Sequence, residues 1–177
     1  KEKLEAEISE IENLDEINGK LKQEKETIKK KMLDLCAQMH QIRKEYAQII
    51  SNKINDELKD LEMSNAVLRA SVENIEDEKF NCNGLDKVEF MICTNRGEEE
   101  KELSKIASGG EMSRVMLAIK TVLADVDKVL TLVFDEIDTG ISGKAAKAVG
   151  EKLKAISKNH QVMVVTHSAS IAAKGKY

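Results

Sequence analysis

The chain has 177 residues with a formal net charge of −4; 34% of its residues are charged, 3% are aromatic, and none is proline. This length allows one domain, or one modest domain with an extension, and the composition is typical of a long solvated helix. The acidic balance excludes an overall basic field that would favour nucleic-acid binding.

Three cysteines, Cys36, Cys82 and Cys93, form no C-x-x-C pair. Their number and spacing argue against a disulfide framework and a four-cysteine zinc site, and favour reduced thiols in a cytoplasmic protein. Cys36 and His40 are four residues apart and could present two metal ligands on a helix, but no second pair accompanies them. No apolar run approaches the roughly 20 residues that span a bilayer, and no signal-peptide pattern occurs, so no membrane partner is expected.

A coiled-coil helix is predicted over residues 1–62. Apolar residues recur there in alternating steps of three and four, the spacing of a coiled-coil seam, so the helix needs a partner helix. Asn18-Gly19 is a local break signal, and it could be a hairpin tip or a tolerated fault. A partner helix outside this chain is favoured, since a hairpin at that point would leave much of the seam uncovered. The seam residues are Leu4, Ile8, Ile11, Leu14, Ile17, Leu21, Ile28, Met32, Leu35, Met39, Ile42, Tyr46, Ile49, Ile54, Leu58 and Leu61.

The chain begins with Lys1-Glu2-Lys3 inside this helical pattern, without an initiator methionine, which indicates a piece of a longer protein. The lysine cluster at residues 29–31 could contact phosphate, although a solvated helix face is the simpler interpretation.

Two strands are predicted after the helix. Apolar and polar residues alternate over residues 66–73 and again over residues 85–94, which is typical of half-exposed strands. The segment between them is polar, and Asn95-Arg96-Gly97 forms a turn. These two strands suggest an antiparallel meander at the foot of the coiled coil.

A second helix is predicted to begin at Ser108. Ser108 and Glu111 have the spacing of a capping box, and an apolar helical run follows through Leu123. Gly109 and Gly110 leave the first-turn amides without covering side chains. A bare helix N-terminus with its positive dipole end can bind an anion such as phosphate, although Gly-Gly at a helix start is also an ordinary turn.

A short apolar strand, residues 130–134, ends in Asp135 and Glu136. Such a run is typical of a parallel-sheet strand covered on both faces. Ligands bind at the carboxyl ends of parallel strands, where one carboxylate can hold hydrated Mg²⁺ and the other can orient a water. Alternatively, the two acids merely cap the following loop.

A helix over residues 144–157 and a strand over residues 161–166 follow, and His167 stands at the strand tip. Because this strand resembles the one before Asp135, both tips are expected at one edge of a parallel sheet. The Gly140–Lys144 segment fails as a phosphate-binding P-loop, since its spacing is wrong and Ala145 replaces the required Ser or Thr. No Walker A sequence occurs in the chain.

The ordered segments Ala107-Ser-Gly-Gly-Glu111, Leu132-Val-Phe-Asp-Glu136 and His167 resemble the signature motif, Walker B motif and switch histidine of ABC-type ATPases. The long helix resembles the SMC-like branch, which carries a coiled coil within its ATPase head. Residues 84–90, 106–114 and 134–143 look most like the RecN family of bacterial DNA-repair proteins. This closer resemblance covers about residues 84–177.

The resemblance implies roles for the strand-tip residues. Asp135 would coordinate Mg²⁺ through water, Glu136 would polarise the hydrolytic water, and His167 would sense the γ-phosphate of ATP. Ser142 stands where many ABC ATPases have an aspartate that contacts the opposite head.

The signature motif would contact nucleotide on another molecule. Ser108, Gly109 and Gly110, with Glu111 of the same motif, would face the γ-phosphate of an ATP held by a second protomer. The active unit would then be a head-to-head dimer.

The implied fold class is α/β: the C-terminal lobe of an ABC/SMC-type head, a partial parallel sheet with flanking helices, preceded by a long coiled-coil helix. Residues 63–177 would form this lobe, and its partners would be the N-terminal lobe with Walker A, a second protomer and DNA. The implied function is ATP-dependent double-strand-break repair at the nucleoid, with the chain inactive alone. Alternatives are another SMC-like head or a non-catalytic coiled-coil scaffold.

Overall fold

The computed structural model describes residues 2–75, 80–95, 97–106 and 109–175, with the side chains of the first helix described from residue 13 onward. Helices and strands alternate through the second half of the chain. Their bounds are α1 Glu2–Asp60, β1 Val67–Asn74, β2 Asp86–Cys93, β3 Lys101–Glu102, a 3-10 turn Leu103–Lys105, α2 Gly110–Leu123, β4 Thr131–Phe134, α3 Gly143–Ile156, β5 Gln161–Val164 and α4 Ala169–Ala172.

The chain divides into two compact units. The first contains residues 1–43 and 74–86, and the second contains residues 44–73 and 87–177. Helix α1 therefore contributes to both units. The domain division between residues 62 and 63 stays a prediction.

Helix α1 runs through Asn18-Gly19 without a break, so these residues are a tolerated fault and the hairpin alternative is wrong. A Cβ on Gly19 would meet nothing within 4 Å, and an exposed helical glycine costs only about 1 kcal/mol relative to alanine. Within the described part of the chain, no helix is long and apolar enough to cross a membrane. Much of the predicted seam is exposed: Leu14, Ile17, Leu21, Ile28, Met32, Leu35, Met39, Ile42, Tyr46 and Ile49.

The C-terminal end of α1 belongs to the second unit and is buried there through Ile54, Leu58 and Leu61. It ends in two backbone hydrogen bonds: the Met63 amide donates to the Leu58 carbonyl (2.9 Å), and the Glu62 amide donates to the Lys59 carbonyl (3.1 Å). This Schellman pattern requires left-handed backbone at the residue where glycine is common, and Glu62 adopts it with φ 59°.

Strands β1, β2 and β3 form a sheet in that order, and β2 pairs antiparallel with β3. The two longer strands were predicted to within one residue. The two-residue strand β3, Lys101–Glu102, was not predicted because it is too short to show an alternating pattern. The same limit of length applies to α4.

Strands β4 and β5 pair in parallel, with Phe134 opposite Val164, which confirms the predicted shared sheet. The prediction that both faces of β4 are covered is wrong. Leu132 and Phe134 point into the core, whereas Val133 is 66% exposed. Helices α2 and α3 contact each other, and both contribute buried residues to the core that contains Leu132 and Phe134, so the described chain covers one face of this sheet.

The first unit has its own buried charge cluster. The Asp86 side chain is 2% exposed and lies 2.7 Å from both Arg43 Nη1 and His40 Nδ1. Burial raises the pKa of Asp86, but the hydrogen bonds from Arg43 and His40 outweigh it and hold the pKa below its ordinary value. Asp86 therefore anchors the segment around Leu85 to α1.

Replacement of Asp86 by Ala should release this segment, because Arg43 and His40 lose their shared hydrogen-bond partner; the expected loss is about 1–3 kcal/mol. Hydrogen exchange of peptides covering residues 80–86 would measure it.

The anchoring by Asp86 should also depend on pH. Since the folded-state pKa of Asp86 is lowered, its stabilisation is present above the ordinary aspartate range and is lost as the pH falls through the folded value. Asp34→Ala, which removes an exposed acceptor on α1, is the matched control. Equal exchange in both variants would contradict the anchoring role.

Candidate nucleotide-binding site

The paired strands bring Asp135 and His167 to one edge of the sheet. Asp135 directly follows Phe134, and His167 stands three residues beyond Val164, the register partner of Phe134. Asp135, Glu136 and His167 are all exposed. The two strand tips thus present two carboxylates and an imidazole toward solvent at the carboxyl end of a parallel sheet, where ligands bind in open α/β folds.

Glu136 has an unusual backbone. Its φ is 55°, in the left-handed region that few residues other than glycine adopt. The Thr139 amide donates to the Glu136 carbonyl (3.0 Å) and closes a tight turn over residues 136–139. Backbone strain of this kind costs about 1–3 kcal/mol and is often found at functional sites.

Helix α2 starts beside this turn, but not where the sequence pattern predicts. Its N-cap is Gly109 without a side-chain cap, and its first residue is Gly110, so the prediction that the helix begins at Ser108 is wrong. Ser108 itself lies outside the described residues. A Cβ on Gly110 would lie 2.7 Å from the Glu136 carbonyl oxygen and 2.9 Å from the Thr139 carbonyl oxygen. The start of α2 therefore makes a tertiary contact with a turn more than twenty residues away, and a capping-box pattern contains no information about such a contact.

Two further residues of α2 bind the turn. Ser113 Oγ donates to the Asp135 carbonyl (2.8 Å), and Arg114 Nη1 donates to the carbonyls of Thr139 (2.9 Å) and Ile137 (3.3 Å). Arg114 is 4% exposed, and burial lowers its pKa below the usual range, although a guanidinium stays charged. Its Nε is buried without a hydrogen-bond partner in the described chain.

Arg114 was not singled out from the sequence, although a signal was present. Gly110 and Arg114 are four residues apart and therefore share a helix face. An arginine on the otherwise apolar face of α2 indicates a buried cation with a specific binding task.

Asp138 connects the two strand tips. Its Oδ2 accepts hydrogen bonds from Thr166 Oγ1 (2.8 Å) and from the His167 amide (2.9 Å). Burial raises the pKa of Asp138, but these hydrogen bonds outweigh it and hold the pKa below its ordinary value. The carboxylate therefore fixes the backbone at His167. The sequence pattern did not assign this role, since Asp138 resembled one more acid of the loop.

The loop after the turn is joined to the end of α1. Ser142 caps α3 by accepting from the Ala145 amide (3.4 Å), and its hydroxyl donates to Glu62 Oε2 (3.0 Å). Lys152 of α3 forms ion pairs with Glu57 (2.6 Å) and Asp60 (2.9 Å). Burial alone would lower the pKa of Lys152, but these two carboxylates raise it by more than burial lowers it. The pKa of Lys152 is therefore above its ordinary value.

Metal ligation has little support from protein side chains alone. No group of three His, Cys, Asp or Glu side chains able to hold a metal occurs among the described residues. The Cys36 and His40 pair does not form such a site, and His40 Nδ1 is bonded to Asp86.

Comparison with known proteins gives a consistent result. No family model matches the chain. It is 39% identical over 184 residues to the DNA repair protein RecN of Bacillus subtilis, covering 97% of this chain and 32% of that protein. It is 61% identical over 90 residues to RecN of Treponema pallidum, covering 51% of this chain and 16% of that protein. The chain belongs to the RecN family. It spans about a third of the length of the curated relatives that it matches along most of its own length.

Solved structures give the same fold. The Smc head domain of Pyrococcus furiosus, solved with an extended coiled coil and bound to the C-terminal domain of ScpA, has a TM-score of 0.52 and 25% identity over 76% of this chain and 31% of that chain. The Smc head domain of Pyrococcus yayanosii, with a coiled coil and joint, has a TM-score of 0.53 and 23% sequence identity. The match covers 76% of this chain and 24% of the Pyrococcus yayanosii chain. The RecN-type chain therefore has the α/β fold of SMC head domains.

Two neighbouring glycines allow a test of the contact between α2 and the turn. Gly110→Ala should lose about 1–3 kcal/mol of stability, because its Cβ would lie within 3 Å of two backbone oxygens, so the helix or the turn would have to shift. Gly109→Ala is the control, since a Cβ there meets nothing within 4 Å and its extended backbone suits alanine. Urea denaturation followed by circular dichroism measures both. Equal stability of the two variants would refute the close approach.

The left-handed backbone at Glu136 makes a second stability prediction. Glu136→Gly should be about 1 kcal/mol more stable than Glu136→Ala, because glycine removes the Cβ clash of this conformation. At the neighbouring Asp135 the order should reverse, since glycine there only adds freedom to the unfolded chain. The same denaturation experiment compares the four variants. Alanine more stable than glycine at residue 136 would exclude the strained turn.

Proposed function

We propose that the chain supplies the coiled-coil arm and C-terminal lobe of a RecN-type ATPase that acts in DNA double-strand-break repair. One observation carries the ATPase part of this proposal. The parallel register of β4 and β5 brings the Asp135-Glu136 pair and His167 to one sheet edge, and the glycine start of α2 is packed against the same turn. The similarity to RecN proteins, which are DNA repair proteins, supports the role in DNA repair.

The exposed acids fit a magnesium nucleotide. Asp135 would hold Mg²⁺ through water, while the nucleotide phosphates supply further oxygen ligands, as is usual for this hard cation. When bound, the cation would neutralise charge on the phosphates. Glu136 would orient and polarise the attacking water, and His167 would contact the γ-phosphate. The hydrogen bonds of Asp138 to Thr166 and to the His167 backbone would hold that histidine in position.

The start of α2 suits phosphate contact. Gly109 provides no side-chain cap, so first-turn amides stay available, and Gly110 adds no Cβ. Together with Ser108 and Glu111 of the same motif, these glycines would face the γ-phosphate of an ATP held by a second protomer. The buried charge of Arg114 lies on the same helix and adds to its positive N-terminal end.

The rest of the site would come from another lobe. The chain has no Walker A sequence, and phosphoryl transfer depends on such a lysine-bearing loop to hold the phosphates. One face of the β4–β5 sheet exposes Val133, Met163 and Val165, an apolar surface that a partner lobe would cover. The full-length relatives have the additional length for this lobe.

Turnover should therefore appear only when this chain is combined with the missing lobe. The chain alone is expected to show no ATP hydrolysis above background, whereas a mixture with the N-terminal lobe of the same protein should hydrolyse ATP. Glu136→Gln removes the carboxylate that polarises water and should reduce turnover in the mixture by about 10²-fold or more. Phosphate release measures all three samples.

Nucleotide binding provides the control. The Glu136→Gln mixture should still bind ATP, because the lost group acts on water and not on the phosphates. Lobes that associate and bind ATP but show no turnover dependent on Glu136 would exclude the catalytic assignment. Turnover by the chain alone would exclude the dependence on a second lobe.

A further inference from the structure

One face of α3 and the turn after it carries four lysines, and we call them the lysine row: Lys144, Lys147, Lys154 and Lys158. All four are exposed. At 100° per residue Lys144, Lys147 and Lys154 fall on a single stripe, opposite the stripe of buried α3 residues that contains Ala145, Val149 and Leu153, and Lys158 lies in the turn that follows the helix. The row therefore points away from the core.

The stripe of the lysine row includes one acid, Glu151, four residues after Lys147 and three residues before Lys154. Within the described part of the chain, none of its four lysines forms an ion pair, whereas Lys120, Lys152 and Lys174 of the same unit all do. The acid on this face is Glu151, and it is already bonded to Lys174. The charges of Lys174, Lys154 and Lys147 together hold the pKa of Glu151 below its ordinary value. The surface is thus locally basic in a chain of net charge −4.

Local interactions within α3 do not favour the N-terminal half of the row. Lys144 lies in the first turn, where the helix dipole is unfavourable to a cation, and that turn has no acid of its own, although Glu62 of α1 reaches the N-cap residue Ser142. Lys147 follows three residues later, so two like charges are neighbours on the helix surface. Each effect costs a few tenths of a kcal/mol. A surface that sacrifices stability in this way is consistent with a binding function.

We infer that the lysine row binds the phosphate backbone of duplex DNA. This inference rests on the proposed role in DNA repair and assigns that role a surface. Lys144 and Lys154 are ten residues apart, about 15 Å along the helix. Duplex DNA carries about one negative charge per 1.7 Å of axis, so several phosphates lie within the length of the row. Flexible ammonium groups contact phosphate as point charges and read no sequence.

The test uses the complete 177-residue chain and a fluorescently labelled duplex of mixed sequence, without nucleotide. Anisotropy titrations across a salt series compare the wild type with the quadruple variant Lys144→Gln, Lys147→Gln, Lys154→Gln and Lys158→Gln. Glutamine keeps a good helix propensity, so α3 should remain folded, and circular dichroism checks this. At about 0.1 M salt, affinity should fall at least about tenfold, and the slope of log K against log salt should fall by about three to four.

A charge-matched control distinguishes the effect of the lysine row on DNA binding from the effect of net charge. Four other exposed lysines of the second unit, which likewise form no ion pair in the described chain, are changed to glutamine: Lys44, Lys53, Lys101 and Lys128. This control should keep the wild-type salt slope. Equal losses in both quadruple variants would overturn the inference, as would absence of duplex binding by the wild type at low salt or a preference for the single strand.

The outcome is independent of the ATPase proposal. Glu136→Gln should bind duplex as the wild type does, because Glu136 is not part of the lysine row. Loss of turnover when that variant is mixed with the N-terminal lobe, together with intact DNA binding by the variant chain, supports both proposals. DNA binding that depends on the row, in a protein whose turnover does not depend on Glu136, would sustain this inference while the catalytic assignment fails.

Discussion

The close approach of Gly110 to the carbonyls of Glu136 and Thr139 is the contact on which the candidate site depends. It brings the amide-bearing end of α2 against the turn that carries the two acids. Arg114 and Ser113 then bind carbonyls of the same turn, so that three α2 residues fix one short loop. Because these acceptors are backbone atoms, the acid side chains themselves remain free for a ligand.

Both described residues of the second unit with strained, left-handed backbone are connected to this loop. Glu136 and Glu62 are the residues other than glycine that have positive φ in the described chain. One forms the acid turn, and the other ends α1 and accepts a hydrogen bond from Ser142 in the loop that follows the turn. The ion pairs of Lys152 with Glu57 and Asp60 add a second connection between α3 and α1. The end of α1 is thus joined to the loop and to α3 through defined contacts.

Local patterns were enough to predict much of this arrangement. Helix α1, the strands that end in Asp135 and near His167, and the parallel sheet follow from periodicity and apolar runs, because these features depend on neighbours in sequence. The start of α2 and the roles of Arg114 and Asp138 depend instead on contacts with residues more than twenty positions away. The capping-box pattern is a local rule, whereas the contact of Gly110 with the turn is a tertiary one that such a pattern does not contain.

The net charge of the whole chain and the charge next to a bound phosphate are different quantities. An acidic chain has no long-range field that attracts DNA, and that conclusion from composition still holds. Screening, however, limits each exposed charge to about 10 Å at 0.1 M salt, so a phosphate responds to the nearest lysines and not to the sum over the chain. A row of lysines on one helix face is therefore compatible with an acidic protein, and its position matters more than the total charge.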